Sequence, residues 1–291
     1  MTEAAIALAA GAARLAIARR GAEAIAWSVG GVDLLWPSDA AIWSEISPIL
    51  YPVVGWTRCG ARVAGRQYAL GLHGFAYGQN FEIETARADF ARLTLSDSAE
   101  TRAVYPFAFR LAVEYRLSAD EFEIAVEVEN PGAAPAPYAC GLHPGFRWPF
   151  AGGPRTGARV IFEQDERAEV PIIAAGGLIS LRKRAIPLKG KTLPLDDELF
   201  ASDALCFLEP ASRWLRFEQA DGSAIEMDFS SFGLAAVWTR PGAPFLCLEA
   251  WTGYSDPEGF AGDLFEKPAM RTLAPGERAR HQAIYRYFAV A

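Results

Sequence analysis

Between residues 107 and 130 apolar and polar positions alternate. Phe107, Phe109, Leu111, Val113, Tyr115 and Leu117 hold every second place; after a polar turn at 118–121, Phe122, Ile124, Val126 and Val128 do the same, with Glu123, Glu127 and Glu129 between them. A period of two sends one set of side chains to a buried face and the other to solvent, so the pattern predicts an antiparallel hairpin. The rhythm returns at 214–217 and 225–229 around Ala220-Asp221-Gly222-Ser223, and Asp-Gly between two such runs marks a tight hairpin turn. Further strands are expected at 234–238, 245–248 and 281–288. Residues 3–26 are rich in alanine, the strongest helix former, yet Leu15, Ile17, Ala24 and Ala26 fall around Gly21 in a strand–turn–strand rhythm and are read as β. With 26 Gly and 19 Pro as punctuation, no long amphipathic helix is expected. Neither the connector at 131–137 nor the Gly/Pro loop at 151–157 separates regions of different composition. Residues 1–291 are therefore read as a single all-β domain, a large antiparallel β-sandwich with little helix.

Composition narrows the function. The net charge is −7, and the densest basic run, Arg182-Lys183-Arg184 with Lys189 and Lys191, is short enough to be read as a solvated loop. Nucleic-acid binding would need a broader positive surface. Cysteines 59, 140, 206 and 247 form no CxxC pair and none lies at zinc-finger spacing from a histidine, which argues against structural zinc and for reduced thiols in a cytoplasmic protein. Glu3 and Arg14 break the N-terminal stretch that superficially resembles a signal peptide, and no run reaches the ~18 apolar residues of a membrane span. The 18 Phe, 9 Tyr and 8 Trp suit a β core, and they also suit a sugar site, where a ring face stacks on an aromatic plane.

Candidate chemistry is sparse. Of three histidines, His73 and His143 sit in the similar segments Gly71-Leu72-His73-Gly74-Phe75 and Gly141-Leu142-His143-Pro144-Gly145-Phe146. Glycine permits close approach of a ligand, and proline holds the preceding histidine extended at a strand end. Either histidine alone would be read as a structural group in a packed loop; the repeated context raises the functional reading. His281 lies in a charged final strand and is read as structural. Glu249 follows the apolar run 245–248 and precedes Ala250-Trp251, so partial burial should raise its pKa toward a useful value for a base. Asp196, Asp197 and Glu198 are read as exposed, whereas Asp203, just before an apolar stretch, could face inward.

These segments together give the chain a resemblance to the aldose 1-epimerase (galactose mutarotase-like) family, nearest its short bacterial LacX-like members. The landmarks are SPILYPVVG (47–55), HGFAYGQNFEI (73–83), YPFAFRLAVEYRL (105–117), EVENPG (127–132), GLHPGFRWPF (141–150), SDALCF (202–207), PFLCLEAWTG (244–253) and EKPAMRTLAPGE (266–277). Each is short; their number and order carry the likeness. It implies a β-supersandwich acting on a monosaccharide without cofactor or metal. In that family the histidine matching His143 is the acid that protonates the ring oxygen, and the glutamate matching Glu249 is the base that takes the anomeric proton. The histidine matching His73 orients the sugar, and an aspartate matching Asp203 holds other hydroxyls. Trp56 and Tyr77 stand where relatives commonly carry arginine, Arg58 could replace one of these, and Ala250 stands where proline is usual. Trp56, Tyr77, Phe146 and Trp251 are the expected aromatic walls. Opening a hemiacetal requires a proton to leave O1 as another reaches the ring oxygen, which a carboxylate and an imidazole on opposite sides of the sugar can supply. The leading expectation is a mutarotase for free aldohexoses, with a hexose-6-phosphate epimerase and a non-catalytic sugar-binding protein as alternatives. A glycosidase would normally need two facing carboxylates. The oligomeric state is open.

Overall fold

The computed structural model describes residues 5–58 and 60–290, so Glu3 and Cys59 lie outside it. The hairpin at 107–130 forms as strands Arg110–Leu117 and Glu121–Glu129, in register from Arg110 opposite Glu129 to Leu117 opposite Phe122. These two strands sit inside a nine-stranded antiparallel sheet. The long strand Arg278–Phe288 joins them to the Asp-Gly hairpin Trp214–Glu218 and Ala224–Asp228. The alanine-rich start also folds as β: strands Ile6–Ala10, Ala13–Ile17 and Ala24–Val29 belong to a four-stranded sheet, where alternate side chains are buried. The only α-helix among the described residues, Ala99–Val104, is held by a capping box between Ser98 and Thr101.

A third sheet of six strands runs Leu205–Phe207, Leu234–Trp238, Phe245–Trp251, Gly141–Leu142 and Ile49–Leu50, with Gly145–Arg147 also paired to Phe245–Trp251. Its inner face joins a hydrophobic core that extends from Ile6 to Tyr287. At the centre, Phe122 stacks on Tyr285 (centroids 5.2 Å) and meets Trp27 edge-on (4.9 Å), and Phe146 meets Tyr285 at 5.4 Å, so side chains from the two larger sheets and the N-terminal sheet interdigitate. The solvent face of the nine-stranded sheet carries cross-strand ion pairs such as Arg92–Glu127 (2.8 Å) and Arg280–Glu123 (3.0 Å), which add little individually.

Three details differ from the sequence expectation. Arg182, Lys183 and Arg184 lie in a strand, Leu178–Ala185, not a loop; it forms a two-stranded sheet with Glu169–Ala174, most of the basic side chains project to water, and Lys183 meets Glu169 at 2.8 Å. The strand expected at 245–248 continues to Trp251. The hairpin strand starts at Arg110, because Phe107 and Phe109 precede the paired segment. His281 is buried, its Nε2 2.9 Å from the Tyr138 hydroxyl, in keeping with a structural role.

Candidate active site

Strand Phe245–Trp251 has no exposed residue, so both of its faces bury side chains. Leu246, Leu248 and Ala250 enter the main core; Phe245, Cys247, Glu249 and Trp251 point the other way. Register carries this second face across the sheet. Ala236 lies opposite Glu249 and Cys206 opposite Ala236, while Gly141 lies opposite both Trp251 and Leu50. His143, two residues after Gly141, reaches the same face. The face is the floor of a cavity of about 380 Å³ that also includes His73, Trp56, Tyr77, Asp203 and Arg240 in its lining.

On this floor His143 Nε2 lies 3.2 Å from Glu249 Oε2, and the Trp251 indole N–H donates to the same oxygen at 3.1 Å. Oε1 has no partner among the described residues, leaving it free for a ligand. Glu249 is 1% exposed. Burial pushes its carboxyl well above the usual carboxylate range; the Trp251 bond opposes this and the charge of Asp203 adds to it. Burial pulls the His143 imidazole down to about 4. Its ring is enclosed by Trp43 (5.3 Å), Trp238 (5.6 Å) and His73 (5.5 Å), and its buried Nδ1 makes no hydrogen bond. Unsatisfied buried polar atoms are uncommon, and one of the five among the described residues falls on the candidate acid. The two groups therefore stand side by side in contact, whereas the sequence reading put them on opposite sides of the sugar.

Loops and a hairpin make the wall. His73 has a left-handed backbone (φ 58°), a strained conformation for a histidine, and is tied to Gly55 twice. Its backbone N–H donates to the Gly55 carbonyl at 2.9 Å, and its Nδ1 accepts from the Gly55 N–H at 3.0 Å. That second bond assigns the ring proton to Nε2. Desolvation, reinforced by His143 nearby, holds His73 well below the ordinary histidine range, so Nε2–H is a neutral donor. Trp56, 42% exposed, presents its indole beside the tip of the 169–185 hairpin. A Cβ on Gly177 would fall 2.2 Å from the indole Cδ1, so only glycine fits at that tip.

Of the residues proposed from sequence, His73, His143, Glu249, Asp203, Trp56, Tyr77 and Trp251 line this one cavity. Phe146 does not. It pairs with Leu246, one step out of phase with Glu249, and is wholly buried in the main core against Trp27 and Tyr285. Arg58 is not in the lining either; its backbone N–H is fixed to Asp256 at 2.7 Å. Sequence reasoning missed Trp43, Trp238, Glu45 and Arg240. Trp43 lies just before the first landmark segment, and Arg240 heads a Pro-Gly turn after a strand; a lone residue in either setting carries no distinctive signal. His143, Cys247 and Glu249 could offer ligand atoms within 4.8 Å of one another to a metal ion; without one, burial pushes the Cys247 thiol far above its ordinary value.

The sequence pattern of the family described as "Aldose 1-epimerase" matches residues 4–286. The chain is 29% identical over 258 residues, covering 84% of this chain and 86% of its relative, to the chromosomal LacX protein of Lactococcus lactis subsp. lactis. Among solved structures, it is similar to a galactose mutarotase related enzyme from Lactobacillus acidophilus (TM-score 0.89, 24% identity, 99% and 98% of the two chains). A galactose mutarotase-like protein from Lactobacillus casei gives a TM-score of 0.90 at 23% identity, over 98% and 100%. The match over nearly the whole length shows that this chain belongs to the aldose 1-epimerase family.

Proposed function

We propose that the protein interconverts the α and β anomers of a free aldohexose by acid–base ring opening, with Glu249 and His143 as the catalytic pair. The observation that carries this is their contact on the floor of an aromatic-walled cavity, with Glu249 Oε1 left free. Both reacting oxygens, O1 and the ring oxygen, are bonded to C1, so adjacent groups can serve them. Glu249 takes the O1 proton, the C1–O1 bond becomes a carbonyl, the C1–ring oxygen bond breaks, and His143 gives its proton to that oxygen. Rotation about C1–C2 and the reverse transfers give the other anomer. In the open-chain stage the proton is on Glu249 and His143 is neutral. That is the protonation state burial favours for both groups, so the same desolvation that raises one pKa and lowers the other stabilises the intermediate. His73 Nε2–H and Asp203 supply hydroxyl contacts, and Trp56, Tyr77 and Trp251 the apolar ones.

The pair should work while it holds one proton. A second proton arrives only as pH falls toward about 4, and the last one leaves well above the usual carboxylate range. Exchange should therefore have its acid limb near pH 4 and an alkaline limb displaced upward by the raised Glu249 carboxyl. An acid limb at ordinary histidine pH, measured as kcat/KM on folded protein, would contradict the assignment. The stability contribution has a matching sign. A histidine kept neutral in the fold but charged when unfolded adds stability that is lost as pH falls from about 6.5 toward 4.

Neutral sugars are favoured because the acidic residues Glu45 and Asp203 border the cavity beside the catalytic pair. A second reading, a 6-phosphorylated aldose, is supported by Arg240. This residue lines the same cavity, and its side chain makes no ion pair or hydrogen bond among the described residues. Anomer exchange measured by NMR across free and 6-phosphorylated hexoses decides between them: faster turnover of free sugars is expected, and a phosphate preference would reverse the substrate reading. Sugar binding with no exchange at all would make the protein a sensor.

A further inference from the structure

We propose that the buried Lys267–Asp256 ion pair is a positioning device that sets the sugar-binding wall, acting through Trp56 and His73. The proposal rests on the sugar-site reading of the cavity. Lys267 Nζ lies 2.7 Å from Asp256 Oδ1, with the two side chains 1% and 3% exposed. Such a pair is a weak source of stability, because desolvation of two charges offsets most of their attraction. Its geometry does something else. Asp256 bonds through four atoms, and three of those bonds reach cavity segments or their supports. Oδ2 accepts the Arg58 N–H (2.7 Å), the backbone N–H donates to the Trp56 carbonyl (2.8 Å), and the backbone carbonyl accepts the Ile179 N–H from the overhanging hairpin (2.9 Å).

Neighbouring bonds extend the network. Ser255 Oγ accepts the Trp56 N–H at 2.9 Å, and Glu258 N–H donates to the Ile179 carbonyl at 2.8 Å. One residue before Trp56, the Gly55 N–H donates to His73 Nδ1 and so selects the Nε2–H tautomer. Lys267 is itself anchored, since it follows a short 3-10 turn, Leu264–Glu266, closed by a capping box between Asp263 and Glu266. The chain of contacts thus runs from a fixed ammonium to the indole edge and the imidazole donor that meet the ligand. Neither Lys267 nor Asp256 lines the cavity, so neither is a catalytic residue.

The test uses Lys267→Met and the double variant Asp256→Asn/Lys267→Met. In the single variant a buried carboxylate is left unpaired and folding could fail. In the double variant both partners are neutral, and the amide oxygen that replaces the carboxylate can still accept the Arg58 N–H. Both would be assayed for anomer exchange in the full chain, and the His73 ring nitrogens would be followed by ¹⁵N NMR. The expected result for the folded double variant is a KM for the sugar raised about tenfold or more with kcat within about threefold, together with a shifted His73 Nδ1 resonance. Loss of folded protein alone would lower the apparent rate at unchanged KM. A folded double variant with the wild-type KM and wild-type His73 signals would overturn the proposal. If the wild-type protein exchanges no sugar, the function proposed above fails, yet the His73 resonances still decide the positioning role: an unmoved Nδ1 refutes it and a shifted one supports it.

Discussion

Glu249→Gln should lower anomer exchange by roughly 10²–10⁴-fold, the usual range for a lost proton-transfer group, while making the folded protein more stable at neutral pH. The first effect follows because an amide keeps the shape and can still accept the Trp251 N–H, yet cannot take the O1 proton. The second follows from the sign of the pKa shift. A carboxyl raised in the fold binds its proton more tightly than in the unfolded chain. Its contribution to stability is full below the unfolded value and is lost as pH rises through the folded one. Around and above neutral pH the buried carboxyl is therefore a cost that glutamine, uncharged at every pH, does not carry. A gain of ~1 kcal/mol would move Tm upward by a few degrees. The measurements are exchange by NMR, sugar binding by calorimetry and melting curves at several pH values, with the stability gap between variant and wild type widening as pH rises. Near-wild-type exchange in this variant would remove Glu249 from the mechanism, and sugar affinity should survive much better than turnover.

Phe146→Ala should destabilise the fold by about 3–5 kcal/mol, the range for deleting a buried aromatic ring, a large share of the ~5–15 kcal/mol typical of a domain. The ring is wholly buried, 5.4 Å from Tyr285 and 6.3 Å from Trp27, where strand Gly145–Arg147 meets the main core. Tyr285 and Trp27 also share Phe122, so the cavity left behind cannot collapse without moving side chains from two other sheets. Because Phe146 lies on the face opposite His143 and Glu249, the fraction that remains folded should keep a KM close to wild type. Denaturant unfolding and sugar titration of the same sample separate the two outcomes. A changed KM with unchanged stability would put Phe146 back in the sugar wall.

Phe146 also marks the boundary between what could be read from residues and what could not. Strands buried on one face wrote their structure into the sequence. Leu111, Val113 and Tyr115 alternate with polar neighbours, so both the strand and its inward face are visible, and Asp221-Gly222 announces its turn because the backbone there requires a left-handed glycine (φ 91°). Even the alanine-rich start showed its β rhythm through Leu15 and Ile17 around Gly21. Family landmarks pointed to His143, Glu249, His73 and Trp251 as candidates.

The strand Phe245–Trp251 withheld its orientation. It is buried on both faces, so no polar alternation tells which residues share the side of Glu249; only its register with Ala236, Cys247 opposite Trp238, and Gly141 opposite Trp251 does so. That is why Phe146 looked like a wall and proved to be core. The direct contact between His143 and Glu249, and the opposite pKa shifts it accompanies, depend on two segments about a hundred residues apart and on the burial of both side chains. Arg240, Trp43 and the Lys267–Asp256 pair were silent for the same reason. Local sequence determines period, turns and residue chemistry through short-range sterics and side-chain burial; which charges meet, at what distance and in what dielectric, is decided only when distant strands pack.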